Sequence, residues 1–91
     1  MSGRRPDEYY VELERRLRKL VPLAEAVLPP DPFQWFIEYL DAGEYGLAVQ
    51  VASEEIPEGA PSAATRKLTS GLLREAELMG LPDDVTRRLL G

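Results

Sequence analysis

The chain has 91 residues, of which 44% are hydrophobic and 30% charged, a composition typical of one small folded domain. It contains neither cysteine nor histidine, which excludes disulfide bonds, catalysis by a thiol or an imidazole, and the usual zinc sites. The formal net charge of −5 at pH 7 argues against direct nucleic-acid binding, which needs lysine and arginine to neutralise phosphates. We find no secretory signal and no membrane-spanning stretch, so we expect residues 1–91 to form a single cytoplasmic domain.

The N-terminal part of the chain predicts an amphipathic helix that opens at Pro6. Its apolar residues recur at steps of three and four, at Tyr10, Leu13, Leu17, Leu20, Ala24 and Val27. The charged residues between them form a predicted solvated face with two i,i+4 pairs, Glu12–Arg16 and Glu14–Arg18. Pro22 lies inside the apolar stripe, so we expect either one helix kinked near Leu20 or two shorter helices.

The next segment predicts a helical hairpin around Gly43. The motif Pro29-Pro30-Asp31-Pro32 indicates a stop and a restart, with Asp31 as the N-cap of a second helix that reaches about Ala42. Gly43 is expected to end that helix in the left-handed conformation, and Glu44 to start the third helix, which gives a tight antiparallel connection. The third helix has the predicted apolar face Leu47, Ala48, Val51 and Ala52, widened by Tyr45, Val49 and Ile56.

Gly46 lies in the first turn of this third helix, where glycine costs about 1 kcal/mol relative to alanine. We attribute it to the close approach of another backbone. Ser62 is expected to cap a fourth helix that runs to about Met79, before Gly80. A short last helix follows, with Asp83 and Asp84 at its start and Val85 and Leu89 in the core. The predicted fold is all-α, a compact bundle of four to five short helices.

The sequence lacks the patterns that catalysis requires. No serine or threonine lies in a known nucleophile motif, and the adjacent carboxylates Glu54-Glu55 and Asp83-Asp84 point in different directions on a helix. No stretch has the spacing of a calcium loop or of a phosphate-binding glycine loop. We therefore expect no enzyme activity, no metal site and no cofactor.

The distribution of charge is uneven along the chain. Residues 21–60 contain eight acidic residues and no lysine or arginine, whereas both flanking segments carry a small positive excess. The acids are Glu25, Asp31, Glu38, Asp41, Glu44, Glu54, Glu55 and Glu58. One interpretation is a solvated face; the other is a surface that attracts a basic protein.

Trp35 is the single tryptophan, and a helical wheel places it away from the core stripe of the second helix. That stripe contains Phe33, Phe36, Ile37 and Leu40. Either a neighbouring element covers Trp35, or Trp35 and Tyr39 are exposed anchors for a partner, a role in which aromatic residues are enriched.

The stretch IEYLDAGEYGLAVQ (37–50), together with AELMGL (76–81), resembles the Maf-type immunity proteins of bacterial polymorphic toxin systems. The resemblance implies an inhibitor that binds its cognate toxin domain in the cytoplasm and blocks the active site or the substrate path. If the toxin is a nuclease, its substrate channel is basic, and an acidic surface would compete with the nucleic acid. The resemblance carries over no catalytic residue, cofactor or metal.

For the toxin interface we select Trp35, Glu38, Tyr39, Asp41, Glu44, Glu54, Glu55 and Glu58. Gly43 and Gly46 are assigned to the architecture of the hairpin, and a monomer is favoured. One alternative is an acidic adaptor or self-associating module that uses Trp35 and Tyr39. Another is a small DNA-binding regulator whose fourth helix presents Arg66, Lys67 and Arg74, although Glu75 and Glu77 on the same helix oppose it.

Overall fold

The computed structural model describes residues 6–57 and 62–90, and all regular secondary structure in these ranges is α-helical. The helices are α1 (Pro6–Arg18), α2 (Val21–Val27), α3 (Pro30–Asp41), α4 (Tyr45–Glu55), α5 (Ala63–Met79) and α6 (Asp83–Leu90). The predicted all-α class is confirmed. The expected number of four to five helices is wrong, because the described residues form six.

The additional helix results from Pro22, which divides the predicted first helix in two. α1 ends at Arg18, and the Leu20 amide donates to the Leu17 carbonyl at 2.9 Å, a tighter turn than the α-helix has. α2 then restarts at Val21, with Pro22 in its first turn, where the missing amide hydrogen costs no helical hydrogen bond. The expectation of two shorter helices is therefore confirmed, and that of one kinked helix is wrong.

α3 begins at Pro30, two residues before the start at Pro32 that an N-cap at Asp31 would give. Pro29 occupies the N-cap position, and its carbonyl accepts a hydrogen bond from the Phe33 amide at 3.0 Å. Asp31 is therefore not the N-cap, because Pro30, with its fixed φ, already suits the first helical position. Asp31 lies in the first turn instead, where its negative charge still faces the positive end of the helix dipole.

The hairpin between α3 and α4 is closed by Gly43, which has a positive φ of 75°. The Glu44 amide donates to the Tyr39 carbonyl at 2.8 Å, and the Gly43 amide to the Leu40 carbonyl at 3.1 Å. This pair of hydrogen bonds is the Schellman motif, which ends a helix and reverses the chain. α3 packs more extensively against α4 than any other two described helices pack together, so the hairpin is the central unit of the bundle.

All six helices contribute to one hydrophobic core, in which Phe36 is the largest fully buried side chain. On α4 the buried face consists of small residues around one valine, namely Ala48, Val49, Ala52 and Ser53. Leu47 lies at the edge of this face and is 43% exposed, so its predicted core position is wrong. Tyr10 is also exposed, because the buried face of α1 begins only at Leu13.

The ends of α5 agree with the sequence. The Ser62 hydroxyl accepts a hydrogen bond from the Thr65 amide at 3.1 Å, which caps the first turn. Gly80 has a φ of 67°, and the Leu81 amide donates to the Ala76 carbonyl at 3.0 Å, the same ending that Gly43 provides for α3. α6 follows with Val85 and Leu89 buried, as expected.

A partly buried ion pair connects α1 to α5. The Arg16 Nε group donates to both carboxylate oxygens of Glu75, at 3.1 and 3.0 Å, and the Glu75 side chain is only 5% exposed. The predicted Glu12–Arg16 pair does not form, because Arg16 turns toward α5 and Glu12 pairs with Arg15 at 3.3 Å instead. The predicted Glu14–Arg18 pair is present at 3.0 Å.

Replacing Arg16 by methionine should leave the Glu75 carboxylate buried without its partner. We expect the free energy of unfolding to fall by about 1–3 kcal/mol, measured by urea denaturation. Adding Glu75→Leu should recover most of the loss, because a well-packed apolar pair often equals a buried ion pair. A single Arg16→Met variant as stable as the wild type would show that water already solvates Glu75.

Two helical glycines have different surroundings. A Cβ added at Gly71, in the middle of α5, would lie 2.6 Å from Leu20 Cδ2, so Leu20 from the α1–α2 turn packs directly on this glycine. At Gly46 the nearest atoms would be Leu81 Cδ2 at 3.5 Å and Met79 Cε at 3.8 Å, which are ordinary contacts with side chains. The expected approach of another backbone to Gly46 is therefore wrong.

Gly46→Ala and Gly71→Ala form a matched pair of substitutions. Both replace a helical glycine by a better helix former, but only the methyl group at residue 71 must displace Leu20. We expect Gly46→Ala to raise the free energy of unfolding by about 0.5–1 kcal/mol and Gly71→Ala to raise it less or not at all, because the Leu20 methyl group must move aside and this offsets the gain in helix propensity. Thermal and urea melting of the two variants would measure the difference, and the reverse order would contradict this assignment.

Candidate protein-binding surface

The exposed side of α3 is an acidic strip with an aromatic residue at its centre. Residues 31, 34, 35, 38 and 41 are all exposed and recur at steps of three and four, which places them on one side of the helix. We call this strip, Asp31, Gln34, Trp35, Glu38 and Asp41, the tryptophan face. Trp35 is 45% exposed, so of the two interpretations made from the sequence the structure supports a surface position.

The acids of the tryptophan face differ in their partners. Asp41 accepts a hydrogen bond from Arg18 Nη2 at 2.8 Å, which compensates its charge. Glu38 accepts only from the neutral Gln34 side chain at 3.2 Å, and neither Glu38 nor Asp31 forms an ion pair with a described residue. The uncompensated negative charge therefore lies on both sides of Trp35 along the helix.

Tyr39 is half-buried and packs against the hydrophobic core, so it supports the hairpin more than it presents a free aromatic ring. Glu44 is exposed at the N-cap of α4 and has no ion pair within the part of the chain that the structure describes. These two residues and Asp41 lie close to the turn of the hairpin, at the same end as Gly43.

The remaining selected acids lie elsewhere. Glu54 and Glu55 lie at the far end of α4 from Glu44, roughly 15 Å along its axis. Glu54 pairs with Arg88 at 3.3 Å, and Glu55 is half-buried. Glu58 lies outside the described residues. The structure thus places Asp41 and Glu44 at the turn of the hairpin, with Glu38 one turn and Trp35 roughly 9 Å back along α3, and separates Glu54 and Glu55 from them.

A chain of polar contacts holds this end of the hairpin to α1. Arg18 Nη2 lies 2.8 Å from Asp41 Oδ1 and 3.0 Å from Glu14 Oε2, and the Tyr45 hydroxyl donates to Glu14 Oε1 at 3.0 Å. The hydrogen bond with Asp41 is the main cause that raises the pKa of Arg18, against an opposing effect of burial. Burial, followed by the hydrogen bond to Glu14, raises the pKa of Tyr45 above its usual value of 10.0.

Beside this polar chain lies a groove of about 490 Å³ between the start of α1, the hairpin turn with the first half of α4, and the C-terminal end of α5 with Leu81. We call it the tyrosine groove. Tyr9 and Tyr10 contact edge to face, with ring centroids 5.2 Å apart, and the Tyr10 and Tyr45 centroids are 6.2 Å apart. Glu44 and Leu47 are exposed at its edge, whereas its base includes the buried Leu13 and the half-buried Gly46, Met79 and Leu81.

The tyrosine groove cannot be predicted from the periodicity of the sequence, which places Tyr10 on the core stripe of α1 and Leu47 on the buried face of α4. The signal in the sequence is the adjacent pair Tyr9-Tyr10, which lies about one turn before Leu13, the first buried residue of α1. Two aromatic residues in a row cannot both face one core on a helix, so at least one of them is left for the surface.

Two further properties concern the described residues only. Within residues 6–57 and 62–90, no three carboxylate, histidine or cysteine side chains come together in a group that could hold a metal ion. In the same ranges no helix combines the length and the apolar character that crossing a bilayer requires.

Comparison with models of known protein families, with curated proteins and with solved structures gave no match. The resemblance to the Maf-type immunity proteins stays a prediction from the residues that carry it.

Tyr45→Phe tests the contact between α4 and α1. We expect the variant to be less stable at neutral pH by about 0.5–1.5 kcal/mol, because one partly buried hydrogen bond is lost. Since the folded-state pKa of Tyr45 is raised, its stabilising effect is fully present below the unfolded pKa and is lost as the pH rises through the folded pKa. The stability difference between wild type and variant should therefore shrink above pH 10.

The phenolate absorbance of the two proteins gives an independent measurement of the same contact. Subtracting the alkaline titration of the variant from that of the wild type isolates Tyr45 from the other three tyrosines. The difference curve should have its midpoint above pH 10. A midpoint at or below the ordinary value would show that Tyr45 is not held by Glu14 in solution.

Proposed function

We propose that this protein is an immunity protein, a cytoplasmic inhibitor that binds a cognate toxin domain through the hairpin of α3 and α4. The observation that carries the proposal is the tryptophan face, on which the exposed Trp35 lies between Asp31 and Glu38, two acids without an ion pair to any described residue. The sequence resemblance, which includes the turn of the same hairpin, supports it.

The tryptophan face has the two properties that a rapid and tight inhibitor needs. Uncompensated carboxylates attract a basic partner from a distance and raise the association rate. A large aromatic side chain at the centre supplies the contact area that slows dissociation once the partner has docked. A nuclease is the toxin that fits best, because its substrate channel must be basic to hold phosphates.

The same observations bear on the rival functions. A symmetric dimer formed through the tryptophan face would bring Asp31 and Glu38 of both copies close together, and this repulsion disfavours self-association there.

A DNA-binding role for α5 is supported by Arg66, Lys67 and Arg74, which are all exposed. Glu75 does not oppose this role, because its carboxylate is buried and binds Arg16. The exposed Glu77 on the same helix and the net charge of −5 still oppose it.

Co-expression with the product of the neighbouring gene, followed by affinity capture, would test the proposed function. We expect a one-to-one complex with a toxin domain, in which the activity of the toxin is blocked. Binding of random duplex DNA with a steep salt dependence, and no such complex, would instead support the regulator.

Reversing charge on the proposed interface should act mainly on the association rate. For Glu38→Lys combined with Glu44→Lys, we expect association with the toxin at low salt to slow about tenfold or more, with a weaker dependence on salt. Neither carboxylate forms an ion pair with a described residue, so the melting temperature should fall only slightly, through the loss of the favourable charge of Glu44 at the N-cap of α4. The matched control is Glu77→Lys, which reverses an exposed charge on α5. Equal rates for the wild type and both variants would exclude the acidic hairpin as the steering surface.

A further inference from the structure

Gly46 in the tyrosine groove is not explained by packing. A helical glycine lowers stability, and here an added methyl group would meet only Leu81 and Met79 at ordinary contact distances of 3.5 and 3.8 Å. Both of these side chains line the tyrosine groove, so the missing side chain enlarges the groove instead of relieving a clash. A residue that lowers the stability of its helix and improves no packing contact is typical of a functional site.

The residues that line the tyrosine groove favour a ligand that has an aliphatic chain ending in a positive charge. Its base includes the apolar side chains of Leu13, Met79 and Leu81, and tyrosine rings form one side. The Glu44 carboxylate stands exposed at the edge, with no ion pair to a described residue. Lysine and arginine combine an aliphatic stem, which packs on apolar surface, with a charged head that favours a carboxylate and the faces of aromatic rings.

We propose that the tyrosine groove binds a lysine or arginine side chain of a partner polypeptide, together with one adjacent apolar residue. The charge of the occupant is set by Glu44, and the volume of about 490 Å³ falls within the range of pockets that enclose small ligands. The groove is a second contact surface, separate from the tryptophan face, and its chemistry does not depend on what the partner does.

Two short peptides can serve as probes of the full chain. One is acetyl-Gly-Leu-Arg-Gly-amide, and the other replaces arginine by citrulline, which has nearly the same shape but no charge. In a titration followed by the backbone amide signals of the isotope-labelled protein, we expect shifts at residues 44–47 and at Leu81. The arginine peptide should bind about two- to fivefold more tightly than the citrulline peptide, as one exposed charge pair with ring contacts allows.

Three variants make the assignment specific. Glu44→Gln should remove the preference for arginine over citrulline, whereas Glu25→Gln, an exposed acid on α2 outside the groove, should leave it unchanged. Gly46→Ala should weaken binding of both peptides severalfold, although we expect it to be more stable than the wild type. A variant that gains stability and loses binding separates the groove from any general effect on folding.

The proposal is overturned if both peptides bind with equal affinity, if neither causes shifts at millimolar concentration, or if the shifts fall on the tryptophan face. It is also overturned if the groove signals shift with protein concentration alone, since the groove would then be a contact between two copies of the chain. The titration contains no toxin, so none of these results bears on the proposed inhibition.

Discussion

The left-handed turn at Gly43 is the constraint on which the rest of the molecule depends. It lets the Glu44 amide reach the Tyr39 carbonyl, which reverses the chain within three residues and lays α4 along α3. Ala48 and Ala52 of α4 and Phe36 of α3 are all fully buried, and α3 and α4 pack more extensively than any other two described helices. With one side of α3 buried in this way, the other side, which carries Trp35, is turned to the solvent.

The elements that local chemistry determines were predictable from the sequence. Pro22, Gly43, Ser62 and Gly80 each act within a turn of their own position, and each marks a helix boundary where the structure has one. Their effects follow from a missing amide hydrogen, a positive φ or a side-chain cap, none of which needs knowledge of distant residues. The prediction that Asp31 is the N-cap of α3 is wrong because Pro30 already fits the first helical position, which makes Pro29 the N-cap.

The candidate site was predictable only in part, because its charges are compensated by distant residues. Sequence counting treats the acids of residues 21–60 alike, yet Arg18 compensates Asp41 and Arg88 compensates Glu54 across separations of 23 and 34 residues. Helical periodicity placed Trp35 off the core stripe, but its exposure depends on which neighbours pack beside α3. The tyrosine groove forms from three separate segments, so no single stretch of sequence contains it.

The polar chain from Asp41 through Arg18 and Glu14 to Tyr45 has a consequence for affinity. Its first residue belongs to the tryptophan face and its last lines the tyrosine groove, so these contacts connect one end of the tryptophan face directly to the groove. For a partner that spans both, the second contact forms within the same complex, at an effective concentration that reaches the millimolar range even for flexibly linked sites. Two individually weak contacts then combine into avidity, and losing one of them removes a factor equal to its affinity multiplied by this effective concentration.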